Sequence, residues 1–163
     1  MLGCALALLL FATQSPTGGK VESEYDKNAD FSKYRSYTWI MRPEAYRPKA
    51  HDLIVADIDK QMAARGLKRD DSGKGDLTIT YLTLRTAQVN LKEVEKLERE
   101  GNKEQAQLYD MGKLVIVLRE AGSTRRLWAA TTLEPLSPDE KAREQTINEA
   151  VIKLFATYPK PKK

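Results

Sequence analysis

The chain has 163 residues, 41% of them hydrophobic and 31% charged, with a net charge of +4 and an isoelectric point near 9.1. Such a length suits one domain that buries roughly two-thirds of its unfolded surface, and the composition excludes a disordered, collagenous or disulfide-dense chain. No dense basic face interleaved with aromatics accompanies the modest positive charge, so nucleic-acid binding is not expected.

Leu2 to Ala12 are almost wholly apolar and uncharged, and they give way at once to Ser15-Pro16-Thr17-Gly18-Gly19. A membrane-spanning helix needs about 20 apolar residues, whereas the apolar core of an export signal is shorter. Residues 1–19 therefore read as a signal-like segment, 20–159 as a single domain and 160–163 as a basic tail. Small residues at Thr17 and Gly19 allow a cut before Lys20. Export to the periplasm, or association with the outer membrane, is the expectation. Cys4 is the sole cysteine and follows Leu2-Gly3 in the manner of a lipoprotein acylation site, but the apolar core Ala5 to Phe11 lies after it and not before it. That order argues against lipidation, and a single cysteine supports no internal disulfide.

Val21-Glu22-Ser23-Glu24-Tyr25 alternates apolar with polar and predicts a half-buried strand, and Ser36 to Ile40 predicts a second, aromatic one. Between them, Asp26-Lys27-Asn28-Ala29-Asp30 copies the first ligand positions of a calcium-binding EF-hand loop. The copy fails where the motif is strict, with Phe31 in place of the sharp-turn glycine and Tyr37 in place of the bidentate glutamate. Asp26 and Asp30 are read instead as turn formers. A helix is predicted from Ala50 to Arg65, with Ile54, Val55, Ile58 and Met62 on one face and Gly66 at its end. His51, the only histidine, is expected as an exposed residue of the first turn, without the nucleophile or orienting acid that a general base requires.

Asp71-Ser72-Gly73-Lys74-Gly75 is a turn and not a phosphate loop, because it lacks the upstream glycine and the following Ser/Thr. The next strand runs from Asp76 to Leu82, with Leu77, Ile79 and Tyr81 facing one way. Leu91 to Tyr109 is the most charged stretch and reads as a helical insertion broken at Gly101-Asn102, with Glu95/Arg99 and Lys96/Glu100 at i,i+4 spacing. Lys113 to Leu118 and Arg126 to Leu133 are strands joined by Ala121-Gly122-Ser123-Thr124, an antiparallel hairpin in which Trp128 is the expected core anchor. Ser137-Pro138-Asp139-Glu140 announces the last helix, with Ser137 as cap, Pro138 in the first helical position and Glu140 closing a capping box. Its buried face runs through Ile147, Val151, Leu154, Phe155 and Tyr158. Lys160, Lys162 and Lys163 alternate with prolines in a solvated tail, from which weak contact with an anionic membrane surface is expected.

Two amphipathic helices and about five strands predict an α+β two-layer sandwich, with a mostly antiparallel sheet and both helices on one face. The order of motifs resembles the bacterial DUF4136 family of exported, often lipid-anchored envelope proteins. Tyr25-Asp26, Ala29-Asp30-Phe31 and Tyr34-Arg35-Ser36-Tyr37-Thr38-Trp39 match its opening, and Ile58 to Leu67 looks like its first helix. Met111-Gly112-Lys113-Leu114-Val115-Ile116, Leu127-Trp128, and Ile147 to Val151 through Tyr158-Pro159 follow in the same order. The chain departs from the family in its expanded charged insertion and in the placement of Cys4. The resemblance implies no established activity, so no catalytic, cofactor-binding or metal-binding residue is assigned and no cofactor is expected. It favours a non-catalytic envelope protein that binds another envelope protein or a small ligand. The alternative is a hydrolase with a carboxylate site, for which Asp26, Asp30 and Asp76 are the only loosely grouped acids.

Overall fold

The computed structural model describes residues 19–40, 48–89, 91–101 and 108–160. Most of the signal-like stretch, Cys4 within it, Asn102 and tail residues 161–163 lie outside the described residues. The elements are β1 (Glu22–Tyr25), β2 (Ser36–Trp39), α1 (Pro48–Ala63), β3 (Lys68–Arg69), β4 (Leu77–Val89), α2 (Leu91–Arg99), β5 (Leu108–Glu120), β6 (Arg126–Pro135) and α3 (Glu140–Phe155). One sheet takes the strands in the order β1-β6-β5-β4-β2-β3. Its β1·β6, β6·β5 and β5·β4 pairs are antiparallel, whereas β2 runs parallel to β4 and β3. The parallel pairs follow from α1, because a crossover helix returns the chain in the direction it left. This is the expected α+β sandwich with a sixth strand, the two-residue β3, too short to carry an alternating pattern.

The core lies between one sheet face and the two long helices. Leu77, Ile79 and Tyr81 of β4 are at most 1% exposed. Ile116 and Leu118 of β5 stand opposite Tyr81 and Ile79, and Ala130 and Trp128 of β6 continue the row. Helix α1 supplies Ile54, Val55, Ile58 and Met62, and α3 supplies Val151, Leu154 and Phe155. Ile147 and Tyr158 are partly buried against this cluster. Gly66 ends α1 at φ +78°, where the N–H of Leu67 reaches back to the Met62 carbonyl at 3.1 Å in a Schellman closure.

Four expectations change. Strand β1 is not half-buried: all four of its residues are exposed, because it is a sheet edge, and only the preceding Val21 packs on the core. Helix α3 is capped by Asp139, whose Oδ1 accepts from the Ala142 N–H at 2.8 Å, and not by Ser137. Ser137 Oγ accepts instead from the Asp139 N–H, and Glu140 accepts from Lys49 Nζ at 2.9 Å and closes no capping box. Among the described residues, the charged stretch is helical over Leu91–Arg99; Gly101 follows at φ +61°, and Leu108 and Tyr109 already belong to β5. Strands β4 and β5 are each 13 residues long, so they form a hairpin of roughly 40 Å, with α2 following β4 beyond the core. Strand β2 pairs with β4 only as far as Ile79, and every β4 residue from Leu82 onward is exposed.

Trp128 is fully buried, with ring centroids of Phe155 and Tyr158 at 5.1 and 5.5 Å. Its indole N–H is buried without a hydrogen-bond partner among the described residues. Trp128→Ala is therefore expected to cost about 3–5 kcal/mol in urea unfolding. Trp128→Phe, which keeps a ring and removes the orphaned donor, is expected to cost clearly less. An unchanged unfolding midpoint for Trp128→Ala would contradict this assignment.

Candidate functional site

Each acid singled out in the sequence is engaged by backbone N–H groups, local ones for Asp26 and Asp30 and distant ones for Asp76. Asp26 Oδ1 accepts from the Asn28 N–H at 2.8 Å, and its Oδ2 receives Arg125 Nε at 2.7 Å. Asp30 accepts from the N–H and hydroxyl of Ser32 at 2.9 and 2.6 Å, capping the short 3-10 turn Phe31–Lys33. Asp76 Oδ2 accepts from the N–H groups of Arg35 and Ser36 at 2.7 and 3.0 Å, which ties the start of β2 to the start of β4. The turn-former reading of Asp26 and Asp30 thus holds. Asp26 lines a shallow surface depression of about 210 Å³ with Glu24, Tyr25 and Arg126, and neither Asp30 nor Asp76 reaches it.

The electrostatics run against acid catalysis by these groups. The Asn28 N–H, then Arg125, hold Asp26 below the usual carboxylate range, and the Arg35 N–H does the same for Asp76. Glu120, missed in the sequence, is lowered by Lys33 and then Tyr34, which donate to its Oε1 at 3.2 and 3.0 Å. A carboxyl acting as a general acid near neutral pH needs the opposite shift. Among the described residues, no group of three or more His, Cys, Asp or Glu could hold a metal ion.

Two further polar nodes were not anticipated. Asp59, on α1, accepts from the Tyr37 hydroxyl at 2.6 Å, from Trp39 Nε1 at 2.9 Å and from Arg69 at 2.9 Å, which joins α1 to β2 and β3. Burial, followed by Asp59, raises the Tyr37 hydroxyl strongly. The signal available in the sequence was the Tyr-Thr-Trp alternation: two aromatics on one strand face, each with a donor that needs an acceptor when buried. His51 is the other departure, half-buried instead of exposed, with Nδ1 at 2.6 Å from the Tyr81 hydroxyl. Tyr81 is a core residue whose polar tip had to find a partner, and the first turn of α1 supplies it.

Glu134 is the one buried acid among the described residues, 6% exposed. It accepts from Thr132 Oγ1 and Lys153 Nζ at 3.0 and 3.2 Å and from the Gly19 N–H at 3.0 Å. A Cβ at Gly19 would stand 1.6 Å from the Leu133 carbonyl oxygen, so this residue packs as part of the domain.

Removing the Asp59 carboxylate strands a buried tyrosine hydroxyl. Asp59→Ala is expected to destabilise by about 1–3 kcal/mol and to shift Trp39 fluorescence, as measured by fluorescence-detected denaturation. The lowered carboxylates set the acid limb of stability. Their folded pKa values lie below the unfolded ones, so their stabilisation is present above the ordinary carboxylate range and is lost as pH falls through the folded values. Melting temperature should fall as pH drops below about 4, and less steeply in Asp76→Asn. Parallel curves for the two proteins would contradict a role for Asp76.

Among solved structures, a PDZ domain protein from Parabacteroides distasonis superposes with a TM-score of 0.60 at 16% identity over 88% of this chain. That match spans 36% of the other chain, so this chain corresponds to about a third of it. The PelC dodecamer from Paraburkholderia phytofirmans superposes with a TM-score of 0.55 at 9% identity, over 85% of this chain and 95% of PelC. A second PelC structure gives 0.50 at 10% identity, over 86% and 99%. At such identities the likeness establishes the fold. No curated protein matches the sequence. The profile of the domain of unknown function DUF4136 matches residues 21–160, and the chain belongs to that family.

Proposed function

We propose that this chain is a non-catalytic protein of the bacterial cell envelope, exported to the periplasm or held at the outer membrane. There it binds a protein or small ligand through the helix-free face of its sheet and the arm formed by β4, α2 and β5. The signal-like segment 1–19 supports export. The engagement of Asp26, Asp30 and Asp76 by backbone amides supports a binding role over a hydrolytic one. The likeness to PelC, described as a dodecamer, supports a fold used in protein association.

One observation carries the reading: on the helix-free face of the β4–β5 hairpin, Leu82 and Leu84 are 52% and 58% exposed. Scattered apolar residues on a surface are ordinary, but an uncovered strand pair presenting them together suits a binding surface. The test is fractionation of intact cells, combined with a photo-crosslinking residue at Lys113 on the open face, at Lys96 on α2, or at Ile152 on α3 as control. The protein is expected in the periplasmic or outer-membrane fraction, with an adduct to a different protein or small ligand from Lys113 or Lys96 and none from Ile152. A cytosolic protein, or an identical pattern from all three sites, would overturn the reading.

A further inference from the structure

The pairing of β1 with β6 bears on where the domain begins. Antiparallel register sets Tyr25 opposite Trp128 and Glu22 opposite Thr131. Continued three residues outward from the Glu22–Thr131 pair, it brings Gly19 to the level of Glu134. The contacts follow: the Gly19 N–H donates to Glu134 Oε2 at 3.0 Å, and the Gly19 carbonyl accepts from Thr132 Oγ1 at 3.5 Å. Gly19 thus meets β6 beyond the last ladder pair, and Val21, packed against the core, holds the stretch between them.

The place is shaped for a glycine. A Cβ there would stand 1.6 Å from the Leu133 carbonyl oxygen and 2.5 Å from its carbon, backbone atoms that β6 fixes. Glu134 divides its donors between its two oxygens: Oε1 takes Thr132 Oγ1 and Lys153 Nζ at 3.0 and 3.2 Å, and Oε2 takes the Gly19 N–H. Removing Gly19 would strip that donor from an acid only 6% exposed, and a buried acceptor left unmet costs its full desolvation. Lys20 is the opposite case, with a side chain 87% exposed that stands 3.9 Å from Glu22. Small residues at Thr17 and Gly19 suit a cut before Lys20 in the sequence, but that cut would take a packed residue from the domain.

We infer that Gly19 stays in the mature protein: removal of the signal-like segment breaks a peptide bond on the N-terminal side of Gly19 and leaves the Gly19–Lys20 bond intact. That a cut occurs rests on the export reading above; its position rests on the fold. Hydrolysis there adds one water across the broken bond, leaving a carboxylate on the released segment and an ammonium on the domain. A cut between Gly18 and Gly19 turns the N–H that faces Glu134 into an ammonium facing the same carboxylate, and a cut further upstream keeps the amide. A cut before Lys20 removes both the donor to Glu134 and the acceptor for Thr132.

Protein recovered from fractionated cells, analysed by intact mass and N-terminal sequencing, is expected to begin at Gly19 or at an earlier residue. In the purified full chain, Gly19→Ala drives a methyl group into the Leu133 carbonyl and should lower the melting temperature by about 4 °C, whereas Lys20→Ala should melt with wild type. Should Gly19→Ala fail to fold, hydrogen exchange on the wild-type full chain decides, with the Gly19 amide expected to exchange at least about tenfold more slowly than in an unfolded chain. An uncut chain in the cytosol would end the export reading, and the melting and exchange measurements then decide the inference. An exported protein beginning at Lys20 or later, Gly19→Ala melting with wild type, or an unprotected Gly19 amide would overturn it.

Discussion

The fold depends on one buried aromatic contact, Trp128 of β6 against Phe155 of α3 and Tyr158 just beyond it. Those rings fix the last helix on the sheet, and Phe31 closes the group edge-on to Tyr158 at 5.5 Å. Burial pushes the Tyr158 hydroxyl up to about 12, so the ring stays neutral in the core at physiological pH. Arg65 joins the two helices through the same place. Its guanidinium lies 4.9 Å from the Phe155 ring and 5.4 Å from that of Tyr158, and donates to the Phe155 carbonyl and to Gln61. A cation held over aromatic faces and bonded to the Phe155 carbonyl, the last of α3, ties that end of the helix to α1.

With the helices held there, their length decides what remains uncovered. Helices α1 and α3 have 16 residues each, about 24 Å, against a β4–β5 hairpin of roughly 40 Å. The mismatch cannot be removed by sliding, because Trp128 and Asp59 lock both helices to the β2 and β6 side. The switch in β4 from alternating burial to continuous exposure falls at Leu82, one residue past Tyr81. Past that point β5 stays paired with β6 as far as Met111, while β4 is held by its ladder with β5 and by the Arg85–Asp110 ion pair, and a helix follows β4.

The periodic elements were legible because their patterns report burial directly. Leu77, Ile79 and Tyr81, or Ile54, Ile58 and Met62, appear in the sequence as they sit in the core. The misread places are those where the pattern carries no burial. Val21 to Tyr25 alternates like a half-buried strand, yet Glu22–Tyr25 is an edge whose pairing to β6 no local pattern reveals. The length of β4 and β5 was hidden because Thr83 to Val89 is exposed on both faces, so nothing but hydrogen bonding marks it as strand. The cap of α3 shifted because Ser137 and Asp139 are both good caps, and the aspartate lies nearer the first helical turn. Acids were legible as turn formers, as for Asp26 and Asp30. Asp59 and Glu134 were not, because their roles depend on donors brought from other elements.

Gly19 and Glu134 meet across 115 residues of sequence, and β1 lies on β6 just beyond them. Contacts that distant close slowly, and this ladder cannot exist until Arg126–Pro135 has been synthesised. The first strand of the domain is thus obliged to wait, unpaired, for nearly the whole chain. The arrangement makes the sealing of this sheet edge a late event in folding, dependent on nearly the whole chain.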